Sequence, residues 1–252
     1  MTKAVTLITG ASAGLGVDFA RQYSKRGDRL VLVARRKDRL EELAAELGNA
    51  RVVAMDLSGE GAASRLFADL EAHGEHIETL INNAGFGLVG RFHALDGTQQ
   101  RKMIDLNCGV LTELAHGALP GMIERGKGGI LNVASTAAFQ PGPGMAVYFA
   151  TKAFVLSFTE ALHEEAKGSG VHVSALCPGP TSTEFGEVAG FGGNKVVESL
   201  AAESADVVEA GISGLDANKA IVIPGFTNKL TAQSSRFLPR STVRKIVNLI
   251  KK

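Results

Sequence analysis

Ala4-Val5-Thr6-Leu7-Ile8-Thr9-Gly10-Ala11-Ser12-Ala13-Gly14-Leu15-Gly16 carries an apolar run straight into a turn with three glycines. The run reads as a strand, and the residues from Leu15 onward read as a helix. A glycine between them permits positive φ and lets a phosphate approach the backbone. The helix that follows presents unpaired N–H groups and the positive end of its dipole to an anion. A glycine motif alone says little. One that follows a strand and opens a helix has the context that nucleotide binding requires.

Working outward, apolar runs recur at Val5–Ile8, Leu30–Ala34, Arg51–Met55, Thr79–Ile81, Gly129–Val133, Val171–Leu176 and Ala220–Ile223. Helical stretches between them begin near Leu15, Asp38, Gly61, Thr98, Tyr148 and Ala205. Runs that are apolar throughout, rather than alternating, fit strands covered on both faces. The pattern predicts an α/β fold, a doubly wound parallel sheet of the Rossmann type. No linker or repeat divides the chain, so residues 1–252 read as a single domain. Two stretches stand apart. Residues 181–204, with Gly186, Gly190, Gly192 and Gly193, follow the sixth run and read as a substrate lid. Residues 235–252 form a basic amphipathic tail without an acid, in which Val243, Ile246, Val247 and Ile250 share a helical face. Such a stripe packs on its own domain or a second subunit more readily than on anionic lipid, so membrane contact is not expected.

The net charge of +1 argues for no nucleic acid and no acidic partner. The N-terminus lacks a signal-peptide pattern, and no apolar run approaches the ~18 residues of a membrane span. Cys108 and Cys177 do not make a disulfide framework and read as buried free thiols. A cytoplasmic protein is expected. The six histidines, among them the neighbours His73 and His76, show no ligand spacing, and no metal is expected.

Tyr148 and Lys152 are four residues apart, so on a helix they share a face. A free phenol, with a pKa of about 10, is a sluggish acid–base group at neutral pH. An ammonium beside it favours phenolate and lowers that pKa. Ser135 ends the fifth run, thirteen residues earlier, and its hydroxyl can hold a substrate oxygen towards the phenol. Each residue alone has a plain structural reading: a strand-end cap for Ser135, a surface helix pair for Tyr148 and Lys152. Together with a nucleotide turn they describe proton transfer coupled to hydride transfer.

The turn Thr9-Gly10-x-x-x-Gly14-x-Gly16, with Asp56-Leu57, Asn82-Asn83-Ala84-Gly85, Asn107, Ser135, Tyr148, Lys152 and Pro178-Gly179 followed by Thr183, resembles the short-chain dehydrogenase/reductase family. The resemblance runs in order from about residue 3 to residue 225. It implies an oxidoreductase with Asn107, Ser135, Tyr148 and Lys152 as catalytic residues. Asn107 would hold a water that links Lys152 to solvent, and Lys152 would also bind the nicotinamide ribose. It places the cofactor on Gly10, Ser12, Gly14, Leu15 and Gly16, on Asp56 and Leu57 beside adenine, and on Asn83, Ala84 and Gly85. Tyr148, Lys152, Pro178, Gly179 and Thr183 would hold the nicotinamide side. It also implies a homodimer or homotetramer, formed through the helices that contain Asn107 and Tyr148. Phe154, Val155 and Phe158 fit such an interface or the core.

Charge selects the cofactor. An acid at the end of the second strand accepts hydrogen bonds from a ribose 2′-hydroxyl. Here the strand ends Val33-Ala34-Arg35-Arg36. A guanidinium there can grip a 2′-phosphate instead, which predicts NADP(H), with Arg35 the stronger reader and Arg36 the weaker. Phe86, Phe139, Phe149, Phe185, Phe191, Met145 and Pro141-Gly142-Pro143-Gly144 fall near the predicted site loops. They suggest an apolar pocket for a bulky small-molecule ketone or secondary alcohol. A non-catalytic NADP(H)-sensing protein on the same fold is the alternative, and the complete proton-transfer set weighs against it.

Overall fold

The computed structural model describes residues 2–184, 186, 201–234 and 237–250. Its centre is a parallel sheet of β1 (Lys3–Thr9), β2 (Leu30–Ala34), β3 (Ala50–Ala54), β4 (Glu75–Asn82), β5 (Gly128–Val133), β6 (Val171–Leu176) and β7 (Ile221–Val222). The spatial order is β3-β2-β1-β4-β5-β6-β7. The order reverses between β1 and β4, and a crevice opens there beyond the carboxyl ends of the strands.

The period of two along each strand sorts side chains between two cores. From β1 and β2, Val5, Leu7, Val31 and Val33 enter one core. Their neighbours Ile8, Leu30, Leu32 and Ala34 enter the other. The first core is closed by α3 (Ala62–Ala72), α5 (Leu111–Arg125) and α6 (Ala146–Glu165) through Leu66, Leu114, Met122 and Leu162. The second is closed by α1 (Leu15–Lys25), α2 (Lys37–Leu47) and α7 (Ser204–Asp216) through Phe19, Tyr23, Leu40, Val208 and Ile212. This is the doubly wound fold that the apolar runs predicted.

Three details differ from the sequence reading. β4 starts at Glu75 rather than Thr79, because its first residues keep polar side chains part-exposed while the backbone already pairs with β1. The helix expected from Thr98 runs on through α4 (Gly97–Ile104), a π-helical stretch Asp105–Val110, and α5. A further helix, α8 (Phe226–Ser234), precedes the tail, and the tail itself holds α9 (Arg240–Ile250). In α9 Val243 is buried and Val247 half-buried, but Ile246 is 42% exposed and lies off the buried stripe.

Most of the stretch 181–204 lies outside the described residues, including Phe185, Phe191, Gly190, Gly192 and Gly193, so the lid reading of it is not addressed by the fold. Among the described residues, no helix is long and apolar enough to cross a membrane.

One buried polar cluster ties the layers together. Asn82 and Asn132 face each other in register across β4 and β5. Asn82 Nδ2 donates to Asn132 Oδ1 at 2.9 Å and to the Leu111 carbonyl at 3.3 Å. Asn132 Nδ2 donates to Thr159 Oγ1 at 3.0 Å. Two strands are thereby pinned to α5 and α6, the helices beside which the chemistry sits. Buried amides of this kind hold position well because leaving one unpaired is costly.

Candidate active site

The crevice is a cleft of about 1690 Å³. One wall is the glycine turn. Gly10 and Gly14 take φ of +68° and +52°, which glycine adopts without strain. Gly16 has a different task. A Cβ there would stand 2.2 Å from the Gly10 carbonyl oxygen, so only glycine lets α1 start this close to β1. Gly16 is buried behind the cleft wall, whereas Gly10, Ser12, Gly14 and Leu15 line it.

The turn is braced from β4. Asn83 Nδ2 donates to the Thr9 carbonyl at 2.9 Å, and the Asn83 and Ala84 N–H groups both donate to Thr9 Oγ1 at 3.0 Å. Thr9 Oγ1 in turn donates to the Ile81 carbonyl at 3.2 Å. These bonds tie the start of the turn to the chain leaving β4. Asn83, Ala84 and Gly85 reach the cleft beside it.

Arg35, Arg36, Asp56 and Leu57 line the end beyond β2 and β3. Asp56 is held below the ordinary carboxylate range by hydrogen bonds from the Ser58 N–H and hydroxyl, with Arg35 and Lys102 adding to the effect. Arg36 is the more tightly placed arginine. It donates to the Ser12 carbonyl at 3.0 Å, to Ser12 Oγ at 3.2 Å and to Glu184 at 2.9 Å.

At the other end stand Ser135, Tyr148 and Lys152, with Pro178, Gly179 and Thr183 opposite. Ser135 lies two residues after β5 and caps a 3-10 turn, Thr136–Phe139, its Oγ accepting from the Ala137 N–H at 3.1 Å. The plain reading of Ser135 as a cap is seen directly, and the same residue lines the cleft. Tyr148 and Lys152 lie one turn apart on α6, and both are buried. Lys152 Nζ donates to the Val133 carbonyl at 2.7 Å and sits 5.8 Å from the Tyr148 ring centroid.

Burial dominates the electrostatics. It pushes the Tyr148 phenol up to about 12, against a smaller downward pull from the hydrogen-bonding Ser135 hydroxyl. It brings the Lys152 ammonium down to about 8. Desolvation dominates at both groups because each charged form loses its water.

Asn107 is placed behind this pair, 1% exposed, in the π-helical stretch. Its Nδ2 donates to the Phe86 carbonyl at 3.0 Å and to Thr151 Oγ1 at 3.1 Å, and its Oδ1 accepts from the Phe86 N–H at 3.1 Å. Thr151 Oγ1 donates to the Tyr148 carbonyl at 2.8 Å. A wider helical turn is a recurrent feature of functional sites. Here it carries Asn107 into the strand ends, where a Cβ on Gly85 would meet its Oδ1 at 2.9 Å.

Apolar side chains wall the space beside Tyr148. Met145, Phe149, Phe86 and Leu88 form one cluster around its ring. The loop before α6 is tied across the mouth, with the Gly90 N–H donating to the Gly144 carbonyl at 2.8 Å. Phe139, expected here, packs instead against Val155 and Cys177 behind β6. Cys177 is fully buried and Cys108 only partly so.

Sequence reasoning missed Leu88, Val89, Arg91, Gln140, Lys102 and Glu184, and the tail residues Val247 and Asn248, all of which line the cleft. No local motif marks them. Phe86 and its neighbours followed the recognised Asn-Asn-Ala-Gly run, which was the available signal for Leu88 and Val89. Val247 was found as part of an apolar stripe, but where that stripe docks is not a local property.

The chain matches the model of the short chain dehydrogenase family over residues 4–192. It is similar to an NADP-dependent 3-hydroxy acid dehydrogenase of Shigella flexneri, 37% identical over 73% of this chain and 75% of the relative. Among solved structures it is similar to a short-chain dehydrogenase from Sphingobium yanoikuyae in complex with NADPH, with a TM-score of 0.82, 34% identity and 93% of each chain covered. It also resembles the bulky-bulky ketone specific alcohol dehydrogenase from Comamonas testosteroni, with a TM-score of 0.77 and 30% identity over 94% of this chain and 92% of that one. The chain belongs to the short-chain dehydrogenase family.

Proposed function

We propose that the protein is an NADP(H)-dependent oxidoreductase that interconverts a ketone and a secondary alcohol, on a bulky or apolar substrate. The observation that carries the reading is that Ser135 lines one end of a cleft beside the buried Tyr148 and Lys152, while the other end is lined by Arg35 and Arg36. The cleft fits a dinucleotide: positive-φ glycines leave the room that a Cβ would take, and the arginines suit a 2′-phosphate. Relatives named as NADP-dependent, and as solved with NADPH, support that choice.

Gly10, Ser12, Gly14 and Leu15 would hold the pyrophosphate, with Gly16 setting the start of α1. Asp56 and Leu57 would flank adenine. Asn83, Ala84, Gly85, Pro178, Gly179 and Thr183 would line the path to the nicotinamide. That cofactor supplies or accepts the hydride when bound. In reduction Tyr148 gives its proton to the oxygen as negative charge develops there, and in oxidation it takes the alcohol proton. Ser135 donates a hydrogen bond to the same oxygen and orients it. Lys152, as ammonium, favours the phenolate that Tyr148 becomes, and Asn107 supports the route by which a proton returns.

The apolar wall of Met145, Phe149, Phe86 and Leu88 supports a hydrophobic substrate body. Residues 181–204 remain our candidate for a substrate lid. Assembly as a homodimer or homotetramer would use α5 and α6, where Phe154 is 44% exposed and stacks on Phe158 at 5.9 Å between centroids. A cytoplasmic setting suits two unpaired thiols. The non-catalytic sensor is disfavoured because nothing in nucleotide sensing needs the buried phenol and ammonium.

The test is loss of reduced-nicotinamide absorbance with NADPH and NADH in parallel, across aliphatic, aromatic, cyclic and acyl-thioester ketones. Turnover with NADPH preferred is the expected result. Turnover with NADH preferred overturns the cofactor assignment. Tight cofactor binding without turnover on any ketone moves the weight to the sensor.

A further inference from the structure

Glu184 lies on the turn after β6, one residue beyond Thr183, and it reaches across the cleft to the opposite wall. Its Oε2 accepts from Arg36 Nη1 at 2.9 Å and its Oε1 accepts from Arg39 Nη1 at 3.1 Å. The remaining nitrogens of Arg36 are also engaged, Nη2 with the Ser12 carbonyl and Nε with Ser12 Oγ. Thr183 packs onto the glycine turn in the same place, its Cβ 3.0 Å from where a Cβ on Gly14 would stand. Ser12, Arg36 and Glu184 all line the cleft.

A guanidinium offers a limited set of donors in one plane. A 2′-phosphate and a carboxylate seek the same paired geometry on it. We propose that Glu184 is a cofactor-selecting residue, whose carboxylate competes with the 2′-phosphate of NADP(H) for Arg36 and so moderates the preference for the phosphorylated cofactor. The inference rests on the NADP(H) reading above. A cofactor that lacks the phosphate leaves the Arg36–Glu184 pair intact and gains nothing from its removal. A phosphorylated one must exchange with Glu184 or share Arg36 with a second anion. Arg39, which donates to the other carboxylate oxygen, holds Glu184 close at hand.

The effect is modest by its physics. Arg36 and Glu184 side chains are 41% and 39% exposed, and a solvated ion pair is weak. Glu184→Gln keeps the shape and removes the charge. We expect it to tighten NADPH by about two- to fivefold, the factor matching an exposed pair at its upper range, and to leave NADH unchanged. The measurement is equilibrium binding by calorimetry, with NADPH, NADH and, as an isolated probe of the phosphate, adenosine 2′,5′-bisphosphate. The bisphosphate should tighten in parallel with NADPH, and both gains should shrink as salt is raised. Unchanged or weakened NADPH binding overturns the proposal. Equal tightening of NADPH and NADH overturns it too, since Glu184 would then govern access and not selection. An unaltered protein that binds NADH more tightly than NADPH sinks the cofactor reading itself, a different and separately visible failure.

Discussion

The two ends of the cleft solve opposite physical problems. At one end Tyr148, Lys152 and Asn107 are almost wholly buried, and helix, strand and hydrogen bond decide every position. At the other end Arg35, Arg36 and Glu184 meet solvent, and Arg36 and Glu184 are joined by an exposed ion pair. Burial makes the first end powerful and expensive. Desolvation drives Tyr148 and Lys152 towards their neutral forms, so a single added charge or hydrogen bond there has large leverage. Solvent makes the second end tolerant, because water screens each pair and replaces any partner that leaves. Chemistry belongs in the first environment, and discrimination between two similar cofactors can be run in the second.

The largest expected effect breaks the buried end. Tyr148→Phe keeps the ring and removes the proton, and turnover should fall by about 10²- to 10⁴-fold, the usual share of general acid catalysis. NADPH binding, read by fluorescence, should persist. Unchanged turnover would remove Tyr148 from the mechanism.

Next comes the exposed end. Arg35→Asp places an acid where a ribose 2′-hydroxyl would be read, and NADPH should weaken about ten- to a hundredfold relative to NADH, the worth of a hydrogen bond to a charged group. If Arg36→Asp shows the greater loss, the order predicted from sequence reverses in favour of the arginine that Ser12 and Glu184 already orient.

A stability measurement sharpens the contrast. Asn82→Ala leaves Asn132 Oδ1 without its donor inside the fold and should cost about 1–3 kcal/mol in urea denaturation. A comparable change at exposed Glu184 should cost almost nothing.

The smallest effect is a slope. The Lys152 ammonium drops from 10.5 to about 8 on folding, so between those values the unfolded chain binds more protons and stability rises with pH. The cost is present in full below about pH 8. Lys152→Met should therefore unfold at a higher temperature near neutral pH, and its advantage should close as pH approaches 10.5. An advantage that does not vary with pH would mean that packing, not charge burial, sets the difference.

Much of the fold was legible because its causes are local. Strand β1, the glycine turn and α1 are adjacent in sequence, and the demand for positive φ at Gly10 and Gly14 writes itself into residue type. Tyr148 and Lys152 were legible for the same reason, through the spacing of a helix turn. Phe139 was misplaced because an aromatic near a loop says nothing about which side of β6 it will enter. Within the tail stripe Ile246 turns to solvent while Val243 and Val247 do not, which spacing alone could not decide.

What the sequence determined by itself was the set of parts: seven apolar runs, a turn that only glycine can make, a tyrosine and a lysine at helical spacing, and two arginines where an acid would exclude a 2′-phosphate. What only the tertiary structure decided was their environment. Folding buried Tyr148 and Lys152 deeply enough that loss of water is the largest influence on the acidity of both. It brought Glu184 to Arg36 from 148 residues away, and it set Val247 and Asn248 on the wall of a cleft begun at Gly10. The reason is that residue type and spacing act over one turn or one strand, whereas desolvation and charge pairing depend on everything that comes to lie nearby.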